Sequence, residues 1–119
     1  MILVKSKDEI EVMRKAGAIV AGALDMVEKE LKPGMTTAKL DQMIEDFIRS
    51  QGAVPAFKNY HGFPASACIS IDQEVVHGIP GNRAVREGEL VSVDVGSIFE
   101  EFYGDSARTF PRSVSTVSR

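Results

Sequence analysis

An α+β fold, with two amphipathic helices laid on an antiparallel sheet, is the architecture this sequence predicts. Three observations carry that reading. The first half holds two stretches whose apolar residues recur at helical spacing. The second half holds runs in which apolar and polar residues alternate, the signature of half-buried strands. Helices precede strands instead of interleaving with them, a segregation that favours α+β over α/β.

The elements follow in order. Ile2 to Val4 reads as a short strand. Ser6, with Glu9 three residues on, forms a capping box that opens a helix. Ile10, Met13, Val20, Leu24, Val27 and Leu31 form its apolar stripe. Lys32-Pro33-Gly34 ends it, because proline lacks an amide proton and glycine accepts left-handed geometry. Thr36 or Thr37 caps a second helix. Leu40, Met43, Ile44, Phe47 and Ile48 are its buried face, and Gly52 stops it.

Strands come next. Ala67 to Ile71 and Glu74 to His77 read as strands around an Asp72-Gln73 turn. Gly78 to Glu89 is turn-rich. Leu90 to Ile98 and Phe102 to Phe110 read as a hairpin. Val91, Val93 and Val95 occupy one face, and Ser92, Asp94 and Gly96 the other. The valine face is expected against the helices and the aspartate face toward a cleft or partner layer. The turn Phe99-Glu100-Glu101 lacks the Asn-Gly or Asp-Gly that suits a two-residue connection.

Composition narrows the function classes. The 119 residues fit one domain, and 44% hydrophobic with 26% charged is ordinary for a soluble globular chain. A net charge of −3 and the lack of a Lys/Arg run give no reason to expect nucleic acid as a partner. The single cysteine, Cys68, excludes an internal disulfide and fits a cytoplasmic setting. No stretch approaches the ~20 apolar residues of a membrane span. Ala16 to Leu24 reads as amphipathic helix rather than signal peptide.

Asp94 and Asp105 are the residues with the most chemical content. Their separation is odd, so an even-length hairpin loop puts both carboxylates on one face, opposite or diagonal. A buried carboxylate pair must share a proton, find cations or bind metal. Oxygen-only donors favour hard ions such as Mg²⁺, Mn²⁺ or Fe²⁺. The plain alternative is that both are solvated, or are paired with Arg108 or Lys58. His77 has its own plain reading, a histidine hydrogen-bonded in a turn. Tyr60, His61 and Phe63 can equally be aromatics packing a loop. Read together, Phe57, Tyr60, Phe63 and Cys68 would form an apolar pocket beside a histidine and two carboxylates. Such a pocket suits a small apolar side chain near metal-bound water.

The chain closely resembles the type I methionine aminopeptidases. The stretches that carry the resemblance are Tyr60-His61-Gly62-Phe63-Pro64, Ser66-Ala67-Cys68-Ile69-Ser70-Ile71-Asp72, Val75-Val76-His77-Gly78-Ile79-Pro80, Glu87-Gly88-Glu89, Val93-Asp94-Val95-Gly96 and Tyr103-Gly104-Asp105-Ser106-Ala107-Arg108-Thr109-Phe110. It covers residues 1–111, read as a domain, and leaves 112–119 as a polar tail expected to be mobile. The resemblance implies the N-terminal half of a pita-bread fold and removal of the initiator methionine from nascent proteins. It implies two divalent metals such as Co²⁺, Mn²⁺ or Fe²⁺, with Asp94 chelating one and Asp105 bridging both. It also implies that His77 hydrogen-bonds the substrate near the scissile amide. Phe57, Tyr60, Phe63 and Cys68 would line the methionine side-chain pocket.

The family's site has five metal-binding side chains, and two of them match here. The remaining histidine and two glutamates, and a second catalytic histidine, belong to the family's C-terminal half. The expectation is therefore an incomplete site that binds metal weakly, completed by a complementary half or partly imitated by a homodimer. The other expectation is a non-catalytic half-domain that self-associates or binds peptides.

Overall fold

A computed structural model describes residues 7–58, 65–71 and 79–112. Helix α1 (Lys7–Glu30) and helix α2 (Thr37–Ser50) precede four strands, β1 (Val54–Pro55), β2 (Ala67–Ile71), β3 (Glu89–Phe99) and β4 (Phe102–Arg112). The chain is thus α+β, two helices on one antiparallel sheet. The expected strands at Ile2–Val4 and Glu74–His77, and the Ser6 side of the capping box, lie outside the described residues.

Strand β3 is the centre of the sheet. Strand β4 pairs with it from Glu89↔Arg112 to Phe99↔Phe102, filling one edge. Strands β2 and β1 share the other edge end to end, at Val91–Val95 and Ser97–Ile98 respectively. The two-residue β1 was not visible as a strand in sequence, because it is short and contains a proline. Strand β4 runs on to Arg112, which sits opposite Glu89, so the ordered sheet extends one residue into the expected tail. Residues 113–119 lie outside the described residues.

Side-chain alternation decides what faces what. Val91, Val93 and Val95 are buried, and α1 lies across β3 and β4 on their side. Leu24, Val27, Leu40, Ile44 and Ile48 close the same core from the helices. The α1 stripe begins later than expected. Ile10 and Met13 are exposed, while Ala16, Ile19, Val20, Ala23, Leu24 and Val27 are buried. Further along, the small Ala16 and Gly17 allow the close approach of Gly104 on β4.

Local chemistry sets the joints. Gly34, at φ 95°, follows the end of α1. Thr36 is the α2 cap, its hydroxyl accepting from the Lys39 amide at 3.1 Å. Thr37 Oγ1 accepts from the Gly81 amide at 2.8 Å and donates to the Gly81 carbonyl at 3.2 Å. This ties the loop before β3 to the start of α2. Gly34 and Val85 (2.7 Å), and Val85 and Met35 (2.8 Å), add backbone bonds along the same seam.

The β3–β4 turn has Glu100 at φ 48° and Glu101 at φ 73°. Positive φ at both central residues is the type I′ geometry that matches sheet twist. The sequence supplies glutamates where this turn favours Asn-Gly, and the strand pairing imposes the conformation regardless. Left-handed geometry is costly for residues with a Cβ. The double change Glu100→Asn, Glu101→Gly is therefore expected to stabilise the chain by about 1 kcal/mol. A urea midpoint that stays put or falls would count against this account of the turn.

Candidate metal centre

The hairpin places both aspartates on the face away from the helices. Asp94 is opposite Ala107, and Asp105 is opposite Gly96. The two carboxylates are therefore diagonal neighbours on one face, as the odd spacing requires for a two-residue turn. Diagonal placement avoids the directly opposed like charges that weaken a ladder.

Cys68 is directly opposite Asp94 from the other edge, so it shares that face. Phe57 reaches the same place differently. A Cβ built on Gly96 would lie 2.8 Å from Phe57 Cε1, so the ring lies over the bare backbone of Gly96. Only glycine leaves room for it there, and Ala56 N donates to Gly96 O at 2.9 Å to hold the segment down. A glycine inside an alternating strand is the sequence signal for such close approach. Phe57, Cys68, Asp94 and Asp105 are thus brought together. Tyr60, His61, Phe63 and His77 lie outside the described residues.

Among the described residues, the electrostatics fit a pair of like charges with no cation beside it. Partial desolvation against the sheet, then the Asp105 charge, pushes the Asp94 carboxyl above the usual carboxylate range. Burial, then the Asp94 charge, pushes the Cys68 thiol up. Both cations proposed as plain partners are engaged elsewhere. Arg108 lies on the helix side and contacts Asp25 at 2.9 Å and Glu28 at 3.4 Å. Lys58 contacts Glu45 at 2.9 Å. The pairing alternative therefore does not hold for Arg108 or Lys58. Both aspartates are exposed, which leaves their oxygens accessible.

The same face carries exposed apolar residues. Leu90 and Ile98, with Tyr103 opposite Ile98, share the aspartate side and are 48, 37 and 57% exposed. Ser92 and Thr109 share a hydroxyl hydrogen bond of 3.0 Å on it. Phe57 and Ala56 cover this layer at Gly96, while Leu90, Ile98 and Tyr103 stay exposed.

The sequence reading missed two residues that hold the site's surroundings. Asp41 Oδ1 accepts from the amides of Ser66 (2.9 Å) and Ala67 (2.8 Å) at the head of β2. Glu45 Oε1 accepts from Lys58 Nζ (2.9 Å) and Ser66 Oγ (3.2 Å), and its Oε2 from Arg49 Nε (2.8 Å). The available signal was faint, two acids four apart at the edge of an apolar helix face.

Comparison with known proteins decides the family. The model of metallopeptidase family M24 matches residues 11–118. The chain belongs to that family. Methionine aminopeptidase of Clostridium acetobutylicum is 55% identical over 111 residues, which is 92% of this chain and 44% of that protein. The crystal structure of methionine aminopeptidase from Rickettsia prowazekii superposes with a TM-score of 0.88 at 38% identity, over 95% of this chain and 46% of that one. A prolidase from Pyrococcus furiosus shares the architecture less closely, with a TM-score of 0.78 at 25% identity over 92% of this chain and 31% of the prolidase. The chain spans about half the length of the methionine aminopeptidases it matches, as its resemblance to their N-terminal half leads one to expect.

An M24 metallopeptidase implies divalent metal. The donors here fit such an ion in kind, as two accessible carboxylates that form no salt bridge to a cation among the described residues. In number they fall short, since the described residues hold no group of three or more His, Cys, Asp or Glu able to bind a metal. No helix among the described residues is long and apolar enough to cross a membrane.

Proposed function

We propose that this chain carries one wall of a methionine aminopeptidase active site. The observation behind the proposal is the Asp94–Asp105 pair, placed beside Phe57 and Cys68 on one sheet face. In the family's terms, Asp94 and Asp105 would both help to hold the divalent ions. Phe57 and Cys68, with Tyr60 and Phe63, would receive the methionine side chain. His77 would hydrogen-bond the substrate near the scissile amide. Bound metal would supply an activated water and polarise the peptide carbonyl. Nascent peptides with an N-terminal methionine would be the substrates, and the cytoplasm the setting.

Methionine release from a Met-Gly-Met peptide tests the reading, with Mn²⁺, Co²⁺ or Fe²⁺ present. The chain alone is expected to show no turnover. Adding a purified C-terminal half from a methionine aminopeptidase should produce turnover, and Asp94→Ala should abolish it. A complex that forms, binds metal and stays inactive would overturn the proposal and favour a peptide-binding module.

One observation favours a second reading. The aspartate face carries the exposed Leu90, Ile98 and Tyr103, and among the described residues β4 pairs with β3 alone, so the isolated chain would gain by self-association. We propose a homodimer for the chain alone. A monomer in light scattering at high concentration would remove it.

A further inference from the structure

Around the proposed pocket, α2 does more than fill the core. Its carboxylates at Asp41 and Glu45 are one turn apart, so they point the same way. Both reach residues far along the chain. Glu45 Oε1 takes a hydrogen bond from Lys58 on one side of the 59–64 segment and from Ser66 on the other. Asp41 Oδ1 takes the next two amides, Ser66 and Ala67. Two adjacent carboxylates therefore hold Lys58, Ser66 and Ala67 at fixed places on one helix. Phe57 precedes Lys58, and Cys68 follows Ala67. Cys68 is opposite Asp94, and Phe57 lies over Gly96, the partner of Asp105.

We propose that Asp41 and Glu45 are positioning residues, a carboxylate clasp that sets Phe57 and Cys68 against the Asp94–Asp105 face. The assignment of Phe57 and Cys68 to a methionine pocket rests on the proposed function above; the clasp itself does not. The clasp acts through Lys58, Ser66 and Ala67, and neither carboxylate joins the chemistry. Its geometry suits the task. A buried charge is stable only with several partners, and Glu45, 12% exposed, has three: Lys58, Arg49 and Ser66. Asp41 accepts two backbone amides at the start of β2, which fixes the strand's entry point as well as its register.

Cys68 provides the readout, because it is the sole cysteine and a thiol reagent therefore reports one position. The full chain and its variants Glu45→Ala, Asp41→Ala, Asp41→Asn and Lys58→Met would be labelled with iodoacetamide. Amide exchange at Ser66 and Ala67 would be followed in parallel, with Asp46→Asn as an exposed control on the same helix. The clasp predicts a rise on the order of 10-fold in Cys68 labelling and in exchange at both amides for the alanine variants. Asp41→Asn keeps an acceptor oxygen and should fall between Asp41→Ala and the parent chain. Lys58→Met changes a partner about one-third exposed and should loosen Cys68 even if an alanine variant fails to fold. Folded variants with parental labelling and exchange would overturn the clasp. Methionine amide tests the pocket separately. Slower Cys68 labelling of the parent chain in its presence supports the pocket. Unchanged labelling, with the variants still loosened, would remove the pocket and leave the clasp.

Discussion

Gly104→Ala is expected to destabilise the chain by about 2 kcal/mol or more. A Cβ at this position would lie 2.8 Å from the Ala16 carbonyl oxygen and 3.0 Å from its carbon. Both are backbone atoms of α1, held by helix hydrogen bonds, so no side chain can swing aside. Either β4 lifts from the helix or α1 moves, and each opens the core around Val20, Val93 and Val95. The partner of Gly104 across the hairpin is Ser97, also small and fully buried. The sheet meets α1 here through its barest backbone. Gly17→Ala is the matched control. Its Cβ would meet nothing within 4 Å, and it sits inside a helix. There alanine should stabilise by about 0.5–1 kcal/mol. Urea titrations of the two variants should move in opposite directions. Equal shifts would mean that helix propensity, not close approach, governs both sites. Asp105 follows Gly104 directly, so lifting β4 would also displace one carboxylate of the pair.

Close approaches of this kind show where sequence reading reached its limit. The period-2 pattern of Val91 to Gly96 revealed both faces of β3, because a strand cannot change which side its alternate residues occupy. The odd separation of Asp94 and Asp105 then fixed their common face without coordinates. The α2 face was legible for the same reason, since Leu40, Ile44 and Ile48 follow one helical stripe and all are buried. Periodicity failed at the start of α1. Ile10 and Met13 satisfy the stripe, yet both are exposed. Whether a stripe is covered depends on what packs against it, which is a tertiary fact. The Glu100–Glu101 turn went against local propensity because β3–β4 pairing along eleven positions outweighs two strained residues. The clasp was least legible of all. Asp41 and Glu45 look like ordinary helix-surface acids until Lys58, Ser66 and Ala67 arrive from later in the chain.

Those two acids should also give the chain opposing acid responses. Lys58, then Arg49, holds the Glu45 carboxyl down at about 2, from an ordinary 4.5. A carboxylate whose pKa falls on folding adds stability that is complete above its unfolded value. That stability is lost as pH drops through the folded value. The Glu45 contribution is thus full above about pH 4.5 and drains away toward about pH 2. With Arg49 half-exposed and Lys58 35% exposed, solvent screening reduces it to on the order of 2 kcal/mol. Asp41 behaves the other way. Burial outweighs its two backbone hydrogen bonds and raises its carboxyl above 3.8. Its contribution favours the fold below 3.8 and is lost as pH rises through its folded value. Glu45→Gln should therefore be weaker than the parent chain at pH 6, with the gap shrinking to less than roughly half by pH 3. Asp41→Asn should improve relative to the parent as pH rises over the same interval, since its amide keeps an acceptor for Ser66 and Ala67 without a charge to desolvate. Urea midpoints of the three proteins from pH 3 to 7 decide the matter. A constant offset for Glu45→Gln would mean the Lys58 and Arg49 contacts act through shape alone. Two curves with the same slope would mean that one shared field, rather than two separate environments, governs both acids.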